Sequence, residues 1–149
     1  MNSASPAKQL AGFLARFNPP IAALARAARA KLRTRLPGAV EMVYDNYNAL
    51  VIGYSPTERP SDAILSIVIF PKKVSVCFIR GKHPPDPRRV LAGDGNQVRF
   101  ITLDAGAAVL DTPAVRALVA EAVAFGDQPF DGPRRLVIRS ISRTQRPRR

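Results

Sequence analysis

Arginine is the residue type in this chain whose number and placement come closest to a chemical function. Residues 1–36 carry Lys8, Arg16, Arg26, Arg29, Lys31, Arg33 and Arg35 and no acid, a block of +7. Residues 134–149 carry Arg134, Arg135, Arg139, Arg143, Arg146, Arg148 and Arg149, again with no acid, a second block of +7. Residues 37–133 hold 9 bases and 11 acids, so the whole excess of +12 sits at the two ends. A guanidinium is flat, permanently charged and forked, and it meets phosphate oxygens two at a time. The pattern therefore points to a polyanion partner, nucleic acid first, with Arg26, Arg29, Arg33, Arg139, Arg143, Arg146, Arg148 and Arg149 as the contact set. The competing interpretation is a solvated helix face followed by a solubility-promoting tail. No nucleic-acid fold signature is present, so specificity for base sequence is not expected.

The other reactive residue types form no comparable pattern. Tyr44, Tyr47 and Tyr54, with Asn46 and Asn48 between them, are candidates to line a small pocket or to stack on a base. They also fit amphipathic rings at a sheet edge with their hydroxyls in water. Cys77 lies in an apolar run, where a thiol is usually a small buried hydrophobe. His83 lies in a proline-rich loop, and a nucleophile–base pair would need the two within hydrogen-bond reach. The glycine loop Gly93-Asp94-Gly95-Asn96 precedes a strand instead of opening a helix, so it reads as a turn and not as a phosphate cradle. Asp86, Asp94, Asp104 and Asp111 are scattered over connections as turn and cap residues. These residues offer no catalytic set and no metal set, and neither an enzyme activity nor a cofactor is expected.

The elements that must position these residues follow from periodicity. The 149 residues suit one domain, with 46% hydrophobic side chains for a core. Leu10, Phe13, Leu14 and Phe17 share one face of a short helix ended by Asn18-Pro19-Pro20. Ile21, Leu24, Ala25, Ala28, Leu32 and Leu36 form the stripe of a second helix, stopped by Pro37-Gly38. Strands are predicted over 41–46 and 48–54, 63–70, 74–80 and 97–103. A short turn of helix is expected at 88–91. Asp111-Thr112-Pro113 announces a third helix, with Gly126 as its C-cap, and 135–141 alternates as an edge strand. The order predicts an α+β fold of two layers, with an antiparallel sheet of five to six strands and N- and C-terminal helices on one face. Residues 1–7 are expected to fray, 8–142 to form the domain, and 143–149 to be a disordered basic tail. One cysteine permits no internal disulfide and fits a reducing, cytoplasmic setting. No apolar run approaches the ~20 residues of a membrane span. The start lacks a signal-peptide pattern, and although it is acid-poor like a transit peptide, its residues read as a folded helix.

Several segments carry a resemblance. The run Leu36-Pro37-Gly38-Ala39-Val40-Glu41-Met42-Val43-Tyr44-Asp45-Asn46-Tyr47-Asn48-Ala49 looks like the start of a YdhG-like domain. Asp86-Pro87, Leu91, Gly93, Gly95 and Gln97-Val98-Arg99 resemble its middle. Leu136-Val137-Ile138-Arg139-Ser140 and Gln145-Arg146-Pro147-Arg148-Arg149 resemble the tail of a bacterial subset. The resemblance covers about residues 8–149. It implies a frataxin-like fold, and one branch of the family is described as an intracellular iron chaperone. Frataxins carry acids for iron on the first helix and first strand. Here the N-terminal helices carry none, so the resemblance leaves only Glu41 and Asp45 as iron contacts. That is too few oxygen ligands for a firm site.

Overall fold

A computed structural model describes residues 4–126 and 128–149. Ser5 caps the first helix by accepting from the Lys8 amide, and Pro6 occupies the first helical position, where its missing N–H is no loss. This helix, α1 (Pro6–Ala15), therefore starts inside the segment expected to fray; residues 1–3 of that segment lie outside the described residues. Helix α2 (Pro19–Arg35) also opens on proline, and its buried stripe is Ala22, Ala25, Ala28 and Leu32. The chain leaves it through Gly38, where a Cβ would stand 2.2 Å from the Phe130 carbonyl oxygen, so only glycine lets the two backbones pass.

Four strands follow as a meander: β1 (Val40–Asp45), β2 (Leu50–Ser55), β3 (Leu65–Phe70) and β4 (Lys73–Phe78). Strand β5 (Arg99–Thr102) pairs antiparallel with β4. The segment before β5 contains turns, but no helix forms at 88–91. There Asp86 accepts from the Val90 and Leu91 amides, a side-chain turn that takes the place of a helical one. Thr112 caps α3 (Pro113–Phe125) by accepting from the Val115 amide, with Pro113 at its first position. Gly126 ends it as expected.

The last strand, β6 (Arg135–Ile141), returns beside β1 and runs parallel to it. The sheet order is β5-β4-β3-β2-β1-β6. The sheet is therefore mixed, and the expectation of a purely antiparallel one is corrected. Hairpin turns dictate antiparallel pairing only between strands they join. β6 arrives over the long crossover containing α3, which leaves its direction open. A bulge opposite the Val43–Tyr44 step makes Arg139 the extra residue of β6.

Alternation sorts the sheet into two faces. Val43, Leu50, Ile52, Leu65, Ile67, Ile69, Val74, Val76 and Phe78 belong to one buried cluster with the stripes of α1, α2 and α3. The helices thus share one face, and the class is α+β with a six-stranded sheet and three helices. Among the described residues, no helix is long and apolar enough to cross a membrane.

Candidate polyanion-binding surface

Glu41, Val43 and Asp45 point to the helix side of β1, which places two carboxylates in the core layer. Glu41 is 2% exposed and is held by a bidentate Arg29, Nε to Oε2 and Nη2 to Oε1, both 2.9 Å. The Tyr54 hydroxyl donates to the same Oε2 at 2.9 Å, and Arg33 Nε lies 3.6 Å from Oε1. Burial works against the Arg29 charge, but the hydrogen bond and charge of Glu41 more than offset it and hold its pKa above the ordinary value. Burial first, and then the Glu41 charge and hydrogen bond, push the Tyr54 phenol well up.

Asp45 is closed in the same way by the chain's far end. Arg148, 3% exposed, donates from Nη2 to Asp45 Oδ1 at 2.9 Å and to the Asn46 carbonyl at 2.6 Å. Its guanidinium carbon lies 5.6 Å from the Phe17 ring centroid. The segment around it is tied down by backbone as well: the Ser142 amide donates to Asp45 O and the Arg146 amide to Tyr47 O, both at 2.9 Å. Gln145 Nε2 also donates to Asp45 O at 2.8 Å. Residues 143–149 are therefore not a disordered tail. Composition marked them as solvated, but a buried ion pair and main-chain bonds fix them across the end of β1.

Two further acids take cations from α2 and β6. Lys31 Nζ and Arg35 Nη2 reach Asp111 at 2.5 and 2.6 Å, and Arg135 pairs with Glu58. The Lys31 hydrogen bond is the largest influence holding the Asp111 carboxyl below its usual range. Carboxylates thus engage half of the basic residues of the two ends. Arg134 and Arg149 instead donate to carbonyls, Arg134 to Arg33 and Pro37, Arg149 to Ala15 and Arg16. Among the described residues, Lys8, Arg26, Arg139, Arg143 and Arg146 have no side-chain partner.

The expected contact set is thereby divided. Arg29, Arg33 and Arg148 point inward onto Glu41 and Asp45. Arg26, Arg139, Arg143 and Arg146 are exposed. Arg149 lies on the last carbonyls of α1, where a cation also suits the helix dipole. The two ends meet physically. Arg16 Nη1 donates to Gln145 Oε1 at 2.5 Å and lies 3.6 Å from Asp45 Oδ2. An open groove of about 610 Å³ runs between α1 and the end of β6, with Arg16 and Arg143 on its two walls.

The three tyrosines do not line one pocket. Tyr54 faces the helices opposite Glu41. Tyr44 lies on the other sheet face, 4.0 Å from where a Cβ on Gly53 would be, and Tyr47 is 51% exposed in the β1–β2 turn. One residue of offset decides the face in a strand, and the ten-residue spacing across the turn hid it. Cys77 pairs with Ser66 across β3 and β4, and His83 stacks on Phe125 with centroids 4.9 Å apart, so they have different neighbours. Arg16, Gln9 and Gln145 were not singled out by sequence. Arg16, the C-cap of α1, carried a signal only as a member of the first basic block, Gln145 only as part of the quoted tail, and Gln9 none.

No protein-family model, curated protein or solved structure matches this chain.

Proposed function

We propose that this chain is a non-catalytic module that binds a polyanion, nucleic acid first, through the side of the molecule where α1, β6 and the last residues converge. One observation carries the proposal: the two acid-free ends lie against each other with Arg143 lining the groove between them, and Arg139, Arg143 and Arg146 are exposed with no carboxylate partner among the described residues. Arg29, Arg33 and Arg148 are turned onto buried carboxylates and are structural in this account, whereas the Arg16 side chain, 3.6 Å from Asp45, stays 47% exposed. Arg139, Arg143 and Arg146 need no ion pair broken before they meet phosphate, and their charge is available at long range. Fold likeness to frataxin and membership of the YdhG-like family remain part of the proposal, supported by the α+β order and the quoted motifs. A cytoplasmic setting fits the single cysteine.

The family's iron-chaperone activity finds less support. Glu41 and Asp45 are four residues apart on one strand, about 13 Å, too far to share a cation. Each is also buried against two arginines. A metal ion would have to displace those arginines and enter a positively charged surface.

Retention on immobilised heparin tests the proposal. The wild type should elute at high salt, and Arg139→Gln/Arg143→Gln/Arg146→Gln should elute much earlier with an unchanged melting temperature. Failure of the wild type to be retained at low salt would contradict it.

A further inference from the structure

We propose that the groove between α1 and the end of β6 seats a base of a single-stranded nucleic acid, with the flanking phosphates on Arg16 and Arg143. This rests on the polyanion proposal above and gives it a ligand class. The groove's volume, about 610 Å³, lies within the usual range of ligand sites, and it is open enough for a chain to enter and leave. Its walls are mixed in the way a nucleotide requires. Phe13 on α1 is half-buried against the core and borders the groove, and Ile141 across from it is 52% exposed. An aromatic ring and an aliphatic side chain facing one space are suited to hold a base by its flat faces. Among the described residues Arg16 uses only Nη1, so Nε and Nη2 remain for phosphate, and Arg143 is uncommitted.

Two more observations point to an occupant. Gly12 sits inside α1, where glycine costs about 1 kcal/mol relative to alanine. A Cβ there would meet nothing within 4 Å, so core packing does not require the glycine, but an unobstructed groove does. The second is Asp45, which lines the groove: its buried Oδ2 has no hydrogen-bond partner among the described residues, and Arg16 Nη1 stands 3.6 Å from it. Such an oxygen calls for an N–H donor. Cytosine and adenine present an exocyclic amino group at their edge. Thymine presents one N–H between two carbonyl oxygens, which a carboxylate repels. Small shifts of Arg16 and Gln145, both at the groove wall, are what would open the path to Oδ2.

The test is fluorescence anisotropy with labelled oligodeoxycytidine, oligothymidine and a duplex of equal length at one low salt concentration, using wild type and Gly12→Leu. Leucine is a better helix former than glycine and fills open space, so this variant should melt at or above the wild-type temperature. The wild type should prefer single strands to duplex and bind oligodeoxycytidine about tenfold more tightly than oligothymidine. Gly12→Leu should lose that preference and bind at least about fivefold more weakly, while its heparin retention is unchanged. Phe13→Leu, which stays apolar but removes the ring, should weaken oligodeoxycytidine binding similarly. Equal binding of single strand and duplex, equal binding of the two oligonucleotides, or wild-type binding by Gly12→Leu would overturn the groove proposal and leave the polyanion proposal standing. Binding to anionic vesicles without binding to any oligonucleotide would overturn it too. No binding to heparin or oligonucleotide would remove both.

Discussion

Tyr54 and Glu41 show how a single side chain can be tested without disturbing the rest of the molecule. The Tyr54 hydroxyl is buried and donates to Oε2, which Arg29 Nε also serves at the same distance of 2.9 Å. Removing the hydroxyl leaves the carboxylate still paired. Tyr54→Phe should therefore cost only about 1 kcal/mol at neutral pH, read from urea denaturation. The same hydroxyl sets an alkaline limit. Its pKa is raised in the folded state, so its stabilisation is fully present below the unfolded value, about 10, and is lost as pH rises from there toward the folded value. The urea midpoint of the wild type should fall above that pH, and in Tyr54→Phe the fall should be smaller. An equal fall in both would mean the phenol does not resist ionisation in the fold.

At the scale of elements, the segment after β6 depends on Arg148. Replacing Arg148 by Met leaves Asp45 buried with only Arg16 nearby, at 3.6 Å, and should cost about 3–5 kcal/mol. Asp45→Asn combined with Arg148→Met should cost less than the sum of the single changes, because no unpaired charge remains. In Arg148→Met the Ser142 and Arg146 amides should exchange with solvent deuterium far faster, and the β1–β2 ladder should not. Equal exchange at those two amides would show that backbone bonds alone hold the segment. This element is also where sequence and structure part. The helices, the meander and the edge strand were legible because hydrophobic period and caps are local signals: Thr112-Pro113 opened α3 where expected, and Asn18-Pro19 separated α1 from α2. The direction of β6 was not legible, since a long crossover carries no local rule of direction. The order in 143–149 was hidden for another reason. A basic run reads as solvated unless one knows that Asp45, 103 residues away, is buried and needs a partner. The same long-range pairing withdrew Arg29, Arg33 and Arg148 from the contact set, while Arg26, Arg139, Arg143 and Arg146 stayed exposed.

Over the whole molecule, charge placement is the property on which the proposed function rests. The two ends contribute +14 to a chain whose middle is −2. Glu41, Asp45, Glu58 and Asp111 absorb part of that excess locally. The C-terminal segment crosses β1 and ends on the last carbonyls of α1, which brings the two basic ends into contact. If the proposed polyanion binding holds, it releases counterions from the phosphates, and the number of phosphates met can be read from salt dependence. The most direct measurement is the affinity for a short single-stranded oligonucleotide across a salt series. With Arg16, Arg139, Arg143 and Arg146 on phosphates, the log–log slope should be about −3, and Arg139→Gln/Arg143→Gln/Arg146→Gln should reduce it to about −1. A slope near zero in the wild type, or the same slope in both proteins, would contradict the account.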